Sequence, residues 1–102
     1  MPDYAIRVEL EGNPTWDQYQ ALHQLMANYG FYQTIRGTSD TGEANLFTLP
    51  HAMYFGSYES DHPTPIRNIL SIAIRAQIQN NILIFVVKSE NWSILAHAKA
   101  IP

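Results

Sequence analysis

The sequence predicts a single α+β domain whose elements run strand, helix, strand, strand, helix, strand, with one further strand near the C-terminus. Three observations carry that expectation. Residues 4–11 alternate apolar and polar side chains. Two stretches, about 15–29 and 65–79, repeat apolar residues at helical spacing. Clusters of Gly, Pro, Asn, Asp and Ser separate the periodic segments.

The first strand follows from its pattern. Tyr4, Ile6, Val8 and Leu10 alternate with Ala5, Arg7, Glu9 and Glu11, as a sheet with one buried face requires. Gly12-Asn13-Pro14 ends it. Thr15-Trp16-Asp17-Gln18 matches a capping box, in which Thr15 and Gln18 satisfy amide donors at a helix start. Trp16, Tyr19, Leu22, Leu25, Met26 and Tyr29 form the apolar stripe of that helix, and Gly30 suits a left-handed C-terminal cap.

Phe31 to Arg36 is aromatic and β-branched and reads as the second strand. Residues 37–43 are all turn chemistry, a long hairpin connection. A third extended region covers about 45–58. Pro50 interrupts it, which implies an edge, a bulge, or a loop before a strand at about 52–57. After Ser60-Asp61-His62-Pro63, Thr64 offers an N-cap and Pro65 a first helical residue. Ile66, Ile69, Leu70, Ala73, Ala76 and Gln77 share one face of the second helix, and Ile72, Ile74 and Ile78 widen it. Isoleucine also suits an extended segment, but the 3.6-residue recurrence and the Thr-Pro start favour the helix. Ile82 to Val87 is apolar on both alternating sets, the signature of a strand covered on both faces. Ser89-Glu90-Asn91 turns the chain, and Trp92 to Leu95 is expected to pair back as a fifth strand.

The chain has 102 residues, enough for one domain over 1–102, with a core at about 4–95 and a weakly patterned tail at 96–102. Apolar residues make up 46% and charged residues 15%, a composition too apolar for disorder. The longest apolar run falls far short of the ~20 residues a membrane crossing needs, and Met1-Pro2-Asp3 shows no basic or apolar region of the leader kind, so no secretory signal is expected. A cytoplasmic location with no membrane contact is expected. Without cysteine there is neither a disulfide nor a thiolate nucleophile. A net charge of −3 argues against a duplex DNA partner, whose affinity comes mainly from phosphate neutralisation. No nucleotide-loop, nucleophile-elbow or zinc-protease pattern occurs, so no cofactor is expected.

The element order is that of the ferredoxin-like split βαβ sandwich, βαββαβ. Right-handed crossovers place both helices on one face of a four-stranded antiparallel sheet, with the first strand central beside the last. The opposite face then carries Arg7, Glu9 and Glu11 beside one apolar set of the late strand. Three large apolar side chains in one row call for a cover. A second copy of the chain is the simplest one, so a homodimer is expected, with the C-terminal tail folded back as the alternative cover.

Few residues carry recognisable chemistry. Glu9 and Glu11 point the same way and could offer oxygen ligands to a divalent cation, but a solvated face with Arg7 as local partner is the favoured reading. His23, His51, His62 and His97 show no metal-ligand spacing, and His23 and His62 read as surface residues. His51 follows Pro50 close to where Arg36 ends the second strand. That pair suits proton transfer and phosphate-charge stabilisation in metal-independent RNA cleavage, or simply two polar residues at a strand end. Tyr32, Tyr54, Phe55 and Tyr58 give an aromatic middle. On an open sheet Tyr32 and Tyr54, with Arg7 beside them, suit stacking of unpaired RNA bases; otherwise they are core.

Several segments together resemble the GhoS-like antitoxin family. They are Tyr4-Ala5-Ile6-Arg7-Val8-Glu9-Leu10, the run Tyr19 to Met26, Gly30-Phe31, Leu49-Pro50, and the Ile82-to-Lys88 strand with Trp92 beyond it. The similarity covers about residues 4–95 and rests mostly on core and turn positions. It implies a ferredoxin-like domain distantly similar to the CRISPR-associated small nucleases. It also implies an endoribonuclease or RNA-binding role in a bacterial toxin–antitoxin system, with single-stranded RNA as partner. Those nucleases place an aspartate near the end of the first strand, where this chain has Glu9, Glu11 and Gly12-Asn13. No catalytic motif carries over. The residues alone leave a second possibility, a non-catalytic homodimeric module that binds a protein or ligand.

Overall fold

A computed structural model of the chain describes residues 1–38, 44–49 and 52–90, with the backbone alone for 36–38 and 44–48. The expected strand at Trp92–Leu95, the tail at 96–102, and Pro50, His51 and His97 lie outside the described residues. The elements are β1 (Asp3–Leu10), α1 (Trp16–Asn28), β2 (Phe31–Tyr32), β3 (Thr34–Thr38), β4 (Ala44–Thr48), β5 (Met53–Ser57), α2 (Pro63–Gln77) and β6 (Ile82–Ser89).

β1 pairs antiparallel with β5 on one side and with β6 along its whole length on the other. Two residues of β2 extend the sheet beyond β5, giving the order β2-β5-β1-β6. Tyr4, Ile6, Val8 and Leu10 face inward and are buried, as the alternation requires. One core unites them with Leu22, Leu25 and Met26 of α1, with Ile66, Leu70, Ala73 and Ile74 of α2, and with Phe31 and Tyr54. Both helices therefore cover the same face of the sheet. This α+β architecture is consistent with the ferredoxin-like expectation.

The Thr15 cap forms as expected. The Thr15 hydroxyl accepts from the Gln18 amide at 3.1 Å, and the Gln18 side chain accepts from the Thr15 amide at 2.9 Å. Gly30, at φ +88°, follows the helix in the left-handed conformation its lack of Cβ allows. The turn brings the Gly30 carbonyl close against β5. A Cβ on Gly56 would lie 2.1 Å from that oxygen, so only glycine fits there.

Three expectations need correction. Phe31 to Arg36 is not one strand, because the chain leaves the sheet after Tyr32, and 34–38 pairs with 44–48 as a separate two-stranded ribbon. Gln33 stands where strand alternation would drive a polar amide into the core behind buried Phe31. There the chain bends, and the Gln33 carbonyl accepts from the Leu49 amide at 2.7 Å. Second, α2 starts before Thr64. The His62 ring accepts from the Thr64 amide as N-cap, and Pro63 takes the first helical position, where its missing amide costs nothing. Third, the apolar stripes are narrower than the helices' composition suggests. Trp16 is 73% exposed and Ile72 is 71% exposed, since one sheet face covers only part of each helix.

Candidate functional site

The helix-free face of the sheet is the most distinctive surface of the molecule. Strand registry builds it row by row. Tyr32 lies opposite Phe55, Phe55 opposite Ala5, and Ala5 opposite Val87. In the next row Arg7 stands between Met53 and Phe85, and beyond it Glu9 faces Leu83. Neighbouring strands are about 4.8 Å apart, so the first row spans roughly 14 Å. Tyr32, Leu83, Phe85 and Val87, on the two edge strands β2 and β6, are 52%, 47%, 59% and 40% exposed. β6 thus carries apolar side chains on both faces, but among the described residues helices lie over only one of them. Ile82, Ile84 and Val86 pack against the core, and their alternates do not.

The one cation that β1 gives this face is paired. Arg7 pairs with Glu9 at 3.2 Å, and both are half-exposed. At the edge, the Ser57 hydroxyl donates to Asp3 at 2.5 Å. Where β1 ends, a cleft of about 530 Å³ opens between Arg7, Glu9, Glu11, Tyr19 and Ala52. Ala52, almost fully buried, adopts φ +62°, a left-handed conformation that costs an alanine about 1–2 kcal/mol. Its carbonyl accepts from the Val8 amide at 3.0 Å, which ties the strained turn to the central strand.

A part-buried polar pair, Tyr54 and His23, lies at the margin of the core. The Tyr54 hydroxyl is 2.6 Å from His23 Nδ1, and the two rings are 5.8 Å apart at centroid. Burial, with the neighbouring Tyr19 adding to it, holds the Tyr54 phenol well above its ordinary pKa of 10.0. His23 remains partly exposed on the helix flank, but its ring turns toward the sheet. It reaches inward to satisfy a hydroxyl that would otherwise be buried without a partner.

The candidate residues sort by face. Arg7 and Tyr32 share the open face, and Tyr54 does not. Pairing with inward-facing Ile6 turns Tyr54 into the core, where no base can reach it, and puts Phe55 on the open face instead. Alternation within Met53–Ser57 permits either assignment, and only this registry decides it. Glu9 and Glu11 both line the cleft at the end of β1. Among the described residues, however, no group of three metal-ligating side chains forms. The Arg36 backbone lies in the ribbon at the level of Leu46, and its expected partner His51 is outside the described residues. Phe85 was legible only as a member of an apolar run. Its exposure follows from having both helices on the other face.

Among the described residues no helix is long and apolar enough to cross a membrane. Comparison with protein-family models, with curated proteins and with solved structures gives no match to this chain.

Proposed function

We propose that the chain is a ferredoxin-like, cytoplasmic protein of the GhoS-like antitoxin type that acts on single-stranded RNA across the open face of its sheet. One observation carries this reading. Tyr32 and Phe85 expose their rings on one helix-free face, with Phe55 in line with Tyr32 and Arg7 beside Phe85. Every base has a π-face, so such a platform binds unpaired bases without reading sequence, at about 1–3 kcal/mol per base. Because Arg7 is balanced by Glu9, the face holds RNA by stacking more than by charge, which suits a chain of net charge −3. The resemblance over residues 4–95 adds the toxin–antitoxin setting. In this reading Arg36 and His51 are the pair for cleavage.

The test is a titration of a fluorescent oligouridylate with purified protein. Wild type binds, and Tyr32→Ala and Phe85→Ala each weaken binding about tenfold. RNA is cut equally with and without EDTA, and His51→Ala abolishes cutting while binding persists. Absence of binding by wild type overturns the reading.

The row Leu83, Phe85 and Val87 also favours a second reading, a homodimer paired face to face through the sheet. Burying each of those side chains contributes about 1.5–3 kcal/mol. Sedimentation equilibrium separates the two readings. A dimer that Phe85→Arg dissociates, and that binds no RNA, favours the module over the antitoxin.

A further inference from the structure

Helix α2 carries Arg67 and Arg75 and not one carboxylate along its whole length, in a chain that is acidic overall. Arg67, Ser71 and Arg75 recur every fourth residue, which stacks them on one face of the helix. Together with Asn68 they line a groove of about 320 Å³, closed on its other side by Ile82 and Ile84 of β6. The Arg67 guanidinium is held by two hydrogen bonds to Asn68 Oδ1, at 3.2 and 2.9 Å, and the Ser71 hydroxyl donates to the Asn68 carbonyl at 3.1 Å. Among the described residues the only ion pair is Arg7–Glu9, so no carboxylate neutralises either groove arginine. Helix stability accounts for Arg75, which sits at the negative end of the helix dipole. It does not account for Arg67, which lies in the N-terminal half. Eight residues separate the two guanidiniums, about 12 Å along the axis, a spacing that suits successive anionic groups on an extended chain better than one small ion.

The position of the groove matters as much as its charge. Ile82 and Ile84 project from the inner side of β6, and Leu83 and Phe85 project from its outer side. The groove and the aromatic face are thus two sides of one strand at the edge of the sheet as described.

We infer that the α2–β6 groove binds the phosphodiester backbone of the single-stranded RNA whose bases stack on Tyr32 and Phe85. Arg67 and Arg75 supply the charge and the Asn68 side-chain amide a neutral donor. The identity of the ligand rests on the function proposed above; the anion site itself does not. It places the electrostatic part of binding on a helix and the stacking part on the sheet, so the two parts can be removed separately.

The experiment uses two probes, tripolyphosphate, which has no bases, and an oligouridylate, each titrated into wild type, Arg67→Gln/Arg75→Gln and Arg67→Lys/Arg75→Lys. Both arginines are exposed, and unchanged thermal unfolding of the variants confirms that the fold is intact. Wild type binds tripolyphosphate, the glutamine variant loses at least tenfold, and the lysine variant keeps most of the affinity. For the oligouridylate, the slope of log K against log salt flattens by about 1.4 in the glutamine variant, at roughly 0.7 for each phosphate no longer neutralised. Equal tripolyphosphate binding by wild type and the glutamine variant, or none by either, overturns the inference. An unchanged salt slope in an RNA complex that does form overturns it as well. Arginine-dependent tripolyphosphate binding without any RNA binding upholds the anion groove and removes the RNA reading.

Discussion

β1 and β6 lie side by side along their whole lengths, yet they treat the open face differently. β1 offers it Ala5, Arg7 and Glu9, a small residue and a satisfied ion pair, and keeps Tyr4, Ile6, Val8 and Leu10 for the core. β6 offers it Leu83, Phe85 and Val87 while Ile82, Ile84 and Val86 pack inward. Both strands supply the same core, so folding does not explain the difference. A strand selected for stability alone would show water the polar alternation of β1. The apolar outer set of β6 is the feature of this face on which the proposed contact rests.

The largest expected effect lies on the inner face. Ile6→Ala opens a cavity under both helices and should lower unfolding stability by about 2–5 kcal/mol in urea denaturation. Phe85→Ala, on the face that no helix covers, should change it by less than about 0.5 kcal/mol. Comparable losses would show that the two faces are not distinct. Next comes Gly56→Ala, which forces a Cβ against the Gly30 carbonyl and should cost about 1–3 kcal/mol by the same measurement.

Tyr54→Phe sharpens the comparison from within the core. It removes one partner of His23 and should cost about 1–3 kcal/mol at neutral pH. It should also alter the alkaline limb. The folded protein keeps the Tyr54 proton above pH 10, where unfolded chains release theirs, so the unfolded state gains by ionising. Stability therefore falls as pH rises past 10, by at most about 1.4 kcal/mol per unit from this group. The Phe variant should lose that part of the decline. A wild-type slope retained in full would remove Tyr54 as its cause. A further modest loss is expected at the helix cap, where Thr15→Ala should cost about 1 kcal/mol without altering RNA binding.

Much of the frame could be read from residues in order. Alternation in 4–10 identified the inward set of β1, and the Thr15–Gln18 box located the start of α1 within a residue. What escaped depended on contacts between distant segments. The face of Tyr54 is set by its registry with Ile6, and His23 turns inward only because Tyr54 waits there. The break at Gln33 needed the knowledge that Phe31 is buried. Arg67 and Arg75 carry no signal in the sequence, because the groove they line exists only where β6 packs beside α2.

Ultraviolet cross-linking to a uridine-rich oligonucleotide, followed by mass mapping of the modified residues, tests the division between the faces most directly. Adducts should form on Tyr32 and Phe85, and none on Tyr4, Phe31 or Tyr54. An RNA complex whose adducts avoid both Tyr32 and Phe85 would contradict the account.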